Sequence, residues 1–201
     1  MDAILNALLK FSRLVDAINV RIGKWLAWLI IVAVLVSAAN ATVRKVLDTS
    51  SNAWLELQWV LFSAVFLLCS PWTLMSNEHI RINIVNNMFP KRARDIIDII
   101  GHGLFLLPLT IVMIITGYPV FMNSLLLDEQ SFSAGGLPQW PAKSLIVIGF
   151  VLLFLQGLSE LIKRVAVMRS LIPDPYQRHH HPAEIEVEEL VKSIQSTERK
   201  P

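Results

Sequence analysis

Polar and ionisable residues inside apolar stretches are where this sequence could do chemistry, because a charge in hydrocarbon is costly to keep. Glu56 stands at the edge of one such stretch, beside Gln58. Asp98 and His102 are four residues apart, as are Gln156 and Glu160, so each pair shares a helix face. Glu160 also lies one turn from Lys163 and Arg164. The string Glu78-His79-Ile80-Arg81-Ile82-Asn83 alternates charge and grease, and His179-His180-His181 stand together near the end.

Three chemistries would use these residues: a proton path, a metal site, or a haem with His79 and His102 as axial ligands. Except for Glu56, which is near the outer end of its stretch, the residues fall toward the inner interface. There, snorkelling and mutual pairing cost little, and helix-to-helix or subunit pairing is the favoured reading. The three adjacent histidines lack a further ligand at fixed spacing. Cys69 is the single cysteine, which rules out an intramolecular disulfide and a CxxC motif and suits a small apolar filler. No Ser-His-Asp arrangement, Walker loop, GxGxxG or HExxH is present, so neither catalysis nor a bound cofactor or metal is expected.

The elements that carry these residues are apolar on all sides. The chain has 201 residues, 54% of them hydrophobic, and a mean hydropathy of +0.53. The excess gathers in four runs, about 25–43, 57–75, 96–118 and 144–162, each long enough to cross a bilayer as a helix. The expected fold is an all-α integral membrane protein with four transmembrane helices. Of the 18 Lys and Arg residues, only Arg44, Lys45 and Lys143 fall in the first and third loops. The positive-inside rule therefore puts both termini and the middle loop in the cytoplasm, N-in and C-in. The net charge of +2 is a topology signal and calls for no nucleic acid. Ala39-x-Ala41 after the first run resembles a cleavage site, but the patterned segment before it favours a retained helix.

Residues 1–24 carry Ile4, Leu8, Phe11, Val15, Ile18 and Ile22 at spacings of three or four. That stripe fits an amphipathic helix in the cytoplasmic interface or on a partner, or equally an extension of the first spanning helix. A four-helix membrane domain over 25–164 follows. A short interfacial segment over 84–90, ended by Pro90, lies between the second and third helices. Gly135-Gly136, Pro138 and Pro141 shape an extracytoplasmic turn, with Trp140 at headgroup level. Residues 165–201 read as a solvated cytoplasmic tail.

These residues together resemble a known family. Glu56-Leu57-Gln58-Trp59 opening the second helix, Asn77 to Asn83 at its exit and Pro90-x-Arg92-Ala93-Arg94 before the third are similar to the small permease subunit of TRAP transporters, the DctQ type. The likeness continues through Ala134-Gly135-Gly136-Leu137, Trp140-Pro141-x-Lys143 and Gln156 to Arg164, covering about residues 8–164. Asn83 stands where the family usually has Asp. The loop pattern looks most like a subgroup labelled for mannitol or chloroaromatic compounds.

The resemblance implies a small subunit of a tripartite, ion-gradient-driven importer of the bacterial inner membrane, usually sodium-coupled and carrying organic acids or similar solutes. Its partners would be a large permease subunit, an extracytoplasmic substrate-binding protein and membrane lipids. Glu56, Glu78, His79, Arg81, Asp98, His102, Trp140 and Glu160 are then expected to make subunit or lipid contacts. A small haem-binding redox protein is the alternative.

Overall fold

In a bilayer no water meets the backbone, so each apolar run must satisfy its own N–H and C=O groups, which a helix does. The computed structural model describes residues 2–48, 51–76, 91–169 and 171–172, and among these it holds four helical rods. The first is α1 (Asp2–Val46), followed by α2 (Asn52–Met75). The third rod comprises α3 (Lys91–Ile100), a π-helical segment (Gly101–Leu106) and α4 (Leu107–Leu126). The last is α5 (Trp140–Met168). All four are long and apolar enough to cross a membrane, and the described residues form no strand, only one isolated bridge between Gln130 and Pro138. The protein is an all-α membrane protein.

Helix α1 is one unbroken rod of 45 residues, about 67 Å long. The amphipathic N-terminal segment and the first apolar run therefore belong to a single helix. The third rod keeps helical dihedrals across both junctions, at Ile100 (φ −64°, ψ −45°) and Leu106 (φ −67°, ψ −52°). Its widened segment ends just before Pro108, which lacks an N–H and whose ring would crowd the carbonyl four residues back in a regular α-helix. Closing it, Leu107 donates its N–H to the His102 carbonyl, five residues back.

Helix α5 is the hub. It packs against α1, α2 and the whole third rod, and α1 and α2 also pack on each other. Two glycines permit the closest approaches. A Cβ on Gly149 would lie 2.9 Å from Leu67 Cβ and 3.1 Å from the Leu67 carbonyl oxygen, which brings α5 against the α2 backbone. A Cβ on Gly23 would lie 2.5 Å from the Trp72 ring, so that indole rests on the α1 backbone.

Burial follows the inverse of the soluble pattern. Ser12, Asn19, Thr110, Ser124, Gln156, Ser159, Glu160 and Arg164 are buried, while Trp28, Leu35, Phe66, Phe105 and Ile115 point outward. A membrane protein can expose its grease to lipid, and there the polar residues do the packing.

Candidate functional site

Two polar constellations form, one at each end of the rods. The first is a seam between α1 and α5. Ser12, Asp16 and Asn19, spaced four and three apart, fall on one face of α1. Gln156, Ser159, Glu160 and Lys163 form the matching face of α5. Gln156 is fully buried and connects most of the group. Its Nε2 donates to Asp16 Oδ1 and Glu160 Oε1, both at 2.9 Å, and its Oε1 accepts from Asn19 Nδ2 at 2.7 Å. The amide orientation follows from chemistry, since carboxylates accept only and must face the NH₂ end.

Ser12 and Ser159 share a hydroxyl hydrogen bond of 2.6 Å, and Ser159 also donates to Asp16 Oδ1 at 3.2 Å. The Lys163 ammonium lies between two carboxylates, 3.1 Å from Asp16 Oδ2 and 2.5 Å from Glu160 Oε1. At the next residue, Arg164 Nη2 meets Asp98 Oδ2 at 2.7 Å and ties the third rod to α5. Every charge named here has an opposite partner within hydrogen-bonding distance, the condition for keeping ions in a low dielectric.

The second constellation is a clasp at the other end. Glu56, one turn into α2, accepts from the Ser131 hydroxyl and, at 2.6 Å, from the Leu137 N–H. Asn52 donates to the Ala134 carbonyl at 3.0 Å. Together they hold the 127–139 connection down on the start of α2. Gly135 sits at φ +71°, a conformation glycine adopts without strain, and a Cβ on Gly136 would lie 2.7 Å from Glu56 Oε1. Outside the spans, Glu129 pairs with Lys143, and that hydrogen bond holds its carboxyl below the ordinary carboxylate value. A recess of about 320 Å³ opens beside the clasp, lined by residues that include Trp59, Ser63, Phe132 and Pro138.

The expected site residues thus divide. Glu56 forms the clasp, and Glu160 and Asp98 lie in paired clusters inside the chain. His102 shares its face with Asp98 as its spacing predicts, but its Nδ1 lies 2.5 Å from the Asp98 backbone carbonyl. A carbonyl only accepts, so the imidazole donates from Nδ1. Trp140 opens α5 and is half-buried. Glu78, His79, Arg81, the 84–90 segment and His179 to His181 lie outside the described residues. Ser12, Asp16, Asn19 and Ser131 were not anticipated as partners. The spacing of Ser12, Asp16 and Asn19 shows that they share a face of α1, but not that this face meets Gln156, Ser159 and Lys163.

Among the described residues no group of three or more His, Cys, Asp or Glu is placed to hold a metal ion. The arrangement instead does two structural things: it locks α1 to α5 and pins a loop onto α2.

Comparison with curated proteins and with solved structures returned no match. A family model does match, over residues 33–167, which takes in the clasp and the α5 half of the seam and begins after its α1 half. Four apolar rods, a polar seam inside them and a clasped loop at one end therefore occur in a chain that belongs to the DctQ component family of the tripartite ATP-independent periplasmic transporters.

Proposed function

We propose that this chain is the small subunit that enlarges the static scaffold of a large permease, in a bacterial inner membrane, during ion-gradient-driven uptake of an organic acid or similar solute. Both termini and the segment between α2 and α3 face the cytoplasm in this reading, as the distribution of Lys and Arg supports. The 127–139 connection then faces the substrate-binding protein, and sodium is the coupling ion.

The observation that carries the reading is where the polar groups go. Gln156, Glu160, Lys163, Arg164, Asp98 and Glu56 are engaged with other residues of this chain, and along their spanning stretches the outer faces of the rods are apolar. Internally satisfied polar groups leave a block with apolar sides, suited to lie against a larger membrane protein. The haem reading has no support beside the family match.

The test is deletion of this chain's gene with its large partner retained. Solute uptake is expected to disappear and to return on complementation. Uptake unchanged by deletion would end the obligatory role, and a reporter fused near residue 130 that proved cytoplasmic would end the orientation.

A further inference from the structure

We infer that the outward face of α1 is a binding surface for the headgroups of anionic phospholipids. Lys10, Arg13, Arg21 and Lys24 are all exposed, and at 3.6 residues per turn they fall within about 80° of one another on the helix. That face is opposite the one carrying Ser12, Val15, Asn19, Gly23 and Leu26, which is buried against the other rods. None of the four cations makes an ion pair among the described residues; Arg13 turns its Nε back to the Leu9 carbonyl at 3.3 Å.

The same face continues along the rod as Trp28, Ile31 and Leu35, which are 68%, 50% and 62% exposed. Cations, then an indole, then aliphatic side chains is the order in which a monolayer presents phosphate, interface and acyl chain. Whatever covers the face must be anionic before Trp28 and apolar beyond it. A phospholipid leaflet has both properties at the right spacing. Leu14 and Ile18, exposed beside the ridge, add an apolar flank that can dip below the headgroups.

The geometry adds a condition. Lys10 and Lys24 are 14 residues apart in a continuous helix, about 21 Å, whereas a headgroup layer is only about 5–8 Å deep. All four cations reach phosphate only if the rod leans. A lean of about 40° cuts that 21 Å to about 16 Å, the long Lys and Arg side chains reaching toward the phosphates cover the remaining few ångströms at each end, and the 67 Å helix then spans about 51 Å across the bilayer. The inference is independent of the transport reading, because it concerns this chain and lipid alone.

The experiment uses the full chain in uncharged detergent, titrated with phosphatidylglycerol or phosphatidylcholine carrying a dansyl group on an acyl chain, with tryptophan-to-dansyl energy transfer as readout. Phosphatidylglycerol is expected to bind roughly tenfold or more tightly, with the preference weakened in 0.5 M NaCl. The variant Lys10→Gln/Arg13→Gln/Arg21→Gln/Lys24→Gln should lose the preference, whereas Arg44→Gln/Lys45→Gln at the other end of α1 should keep it. Should the fourfold variant lose its helical circular dichroism, Lys10→Gln/Arg13→Gln and Arg21→Gln/Lys24→Gln are measured separately, and each should lose part of it. Equal binding of the two lipids by the unaltered chain, as a face made for an acidic protein segment would give, overturns the inference. So does a preference that survives in a folded fourfold variant or in both double variants.

Discussion

The Lys163 ammonium lies 3.1 Å from Asp16 Oδ2, a contact between residues 147 positions apart that joins the last rod to the first. Glu160 approaches the same ammonium at 2.5 Å, so a single cation balances two carboxylates. Lys163→Met would leave both without that partner. The expected loss is about 2–3 kcal/mol, below the full cost of an orphaned buried charge because Asp16 is still 25% exposed. Adding Asp16→Asn should recover part of it, and a double-mutant cycle on unfolding in mixed detergent micelles measures the coupling.

Gln156 is the neutral centre of the same seam. Gln156→Leu keeps the volume but removes the partner of Asn19 Nδ2 and the shared donor to Asp16 and Glu160. Destabilisation of about 1–2 kcal/mol is expected, in the upper range for polar contacts between membrane helices. A thermal midpoint equal to that of the unaltered chain would show that the seam is not a stabilising contact.

At the opposite end, Glu56→Ala removes the acceptor of the Ser131 hydroxyl and the Leu137 N–H. Amide exchange at Leu137 should then speed up by about tenfold or more, because its N–H loses a charge-assisted hydrogen bond. Amides in the middle of α5 should exchange at the unaltered rate. Gly136→Ala should act in the same direction, since the new Cβ would fall within 3 Å of both Ser131 and Glu56.

Glu129 predicts a pH dependence. Its carboxyl is held below the ordinary value by the hydrogen bond from Lys143, so the pair's contribution is present above the unfolded pKa, near 4.3, and is lost as pH falls through the lower folded value. The connection should therefore loosen below about pH 4, seen as faster proteolysis between residues 127 and 139 by an acid-active protease. Glu129→Gln should be loosened already at neutral pH and lose the part of the acid dependence that Glu129 carries, leaving only that of the Glu56 clasp.

Much of this architecture was legible because it is local. Apolar runs of the right length announce four spans, and the fixed helical period brings Gln156, Glu160 and Lys163 within reach of one another whatever else the chain does. The same period placed His102 beside Asp98, although the atom it reaches is the backbone carbonyl.

The direction of packing was another matter. The stripe Leu8, Phe11, Val15 and Ile18 invites the view that grease points inward, yet Ser12, Val15 and Asn19 are the buried positions, with Leu8 and Ile18 exposed. Amphipathicity shows that a helix has two faces; which one is inside depends on whether water or lipid lies outside, and on the presence of a matching polar face elsewhere in the chain.

The sequence by itself determined the class, the number of spans and the pairs within one helix, since these depend on composition and on a period of 3.6 residues. Only the tertiary structure decided that α1 is one rod, that Asp16 meets Lys163 and that Glu56 holds Leu137 from 81 residues away. Such contacts are set by how whole helices dock, through close approaches such as Gly23 on Trp72 and Gly149 on Leu67, and no spacing along the chain encodes them.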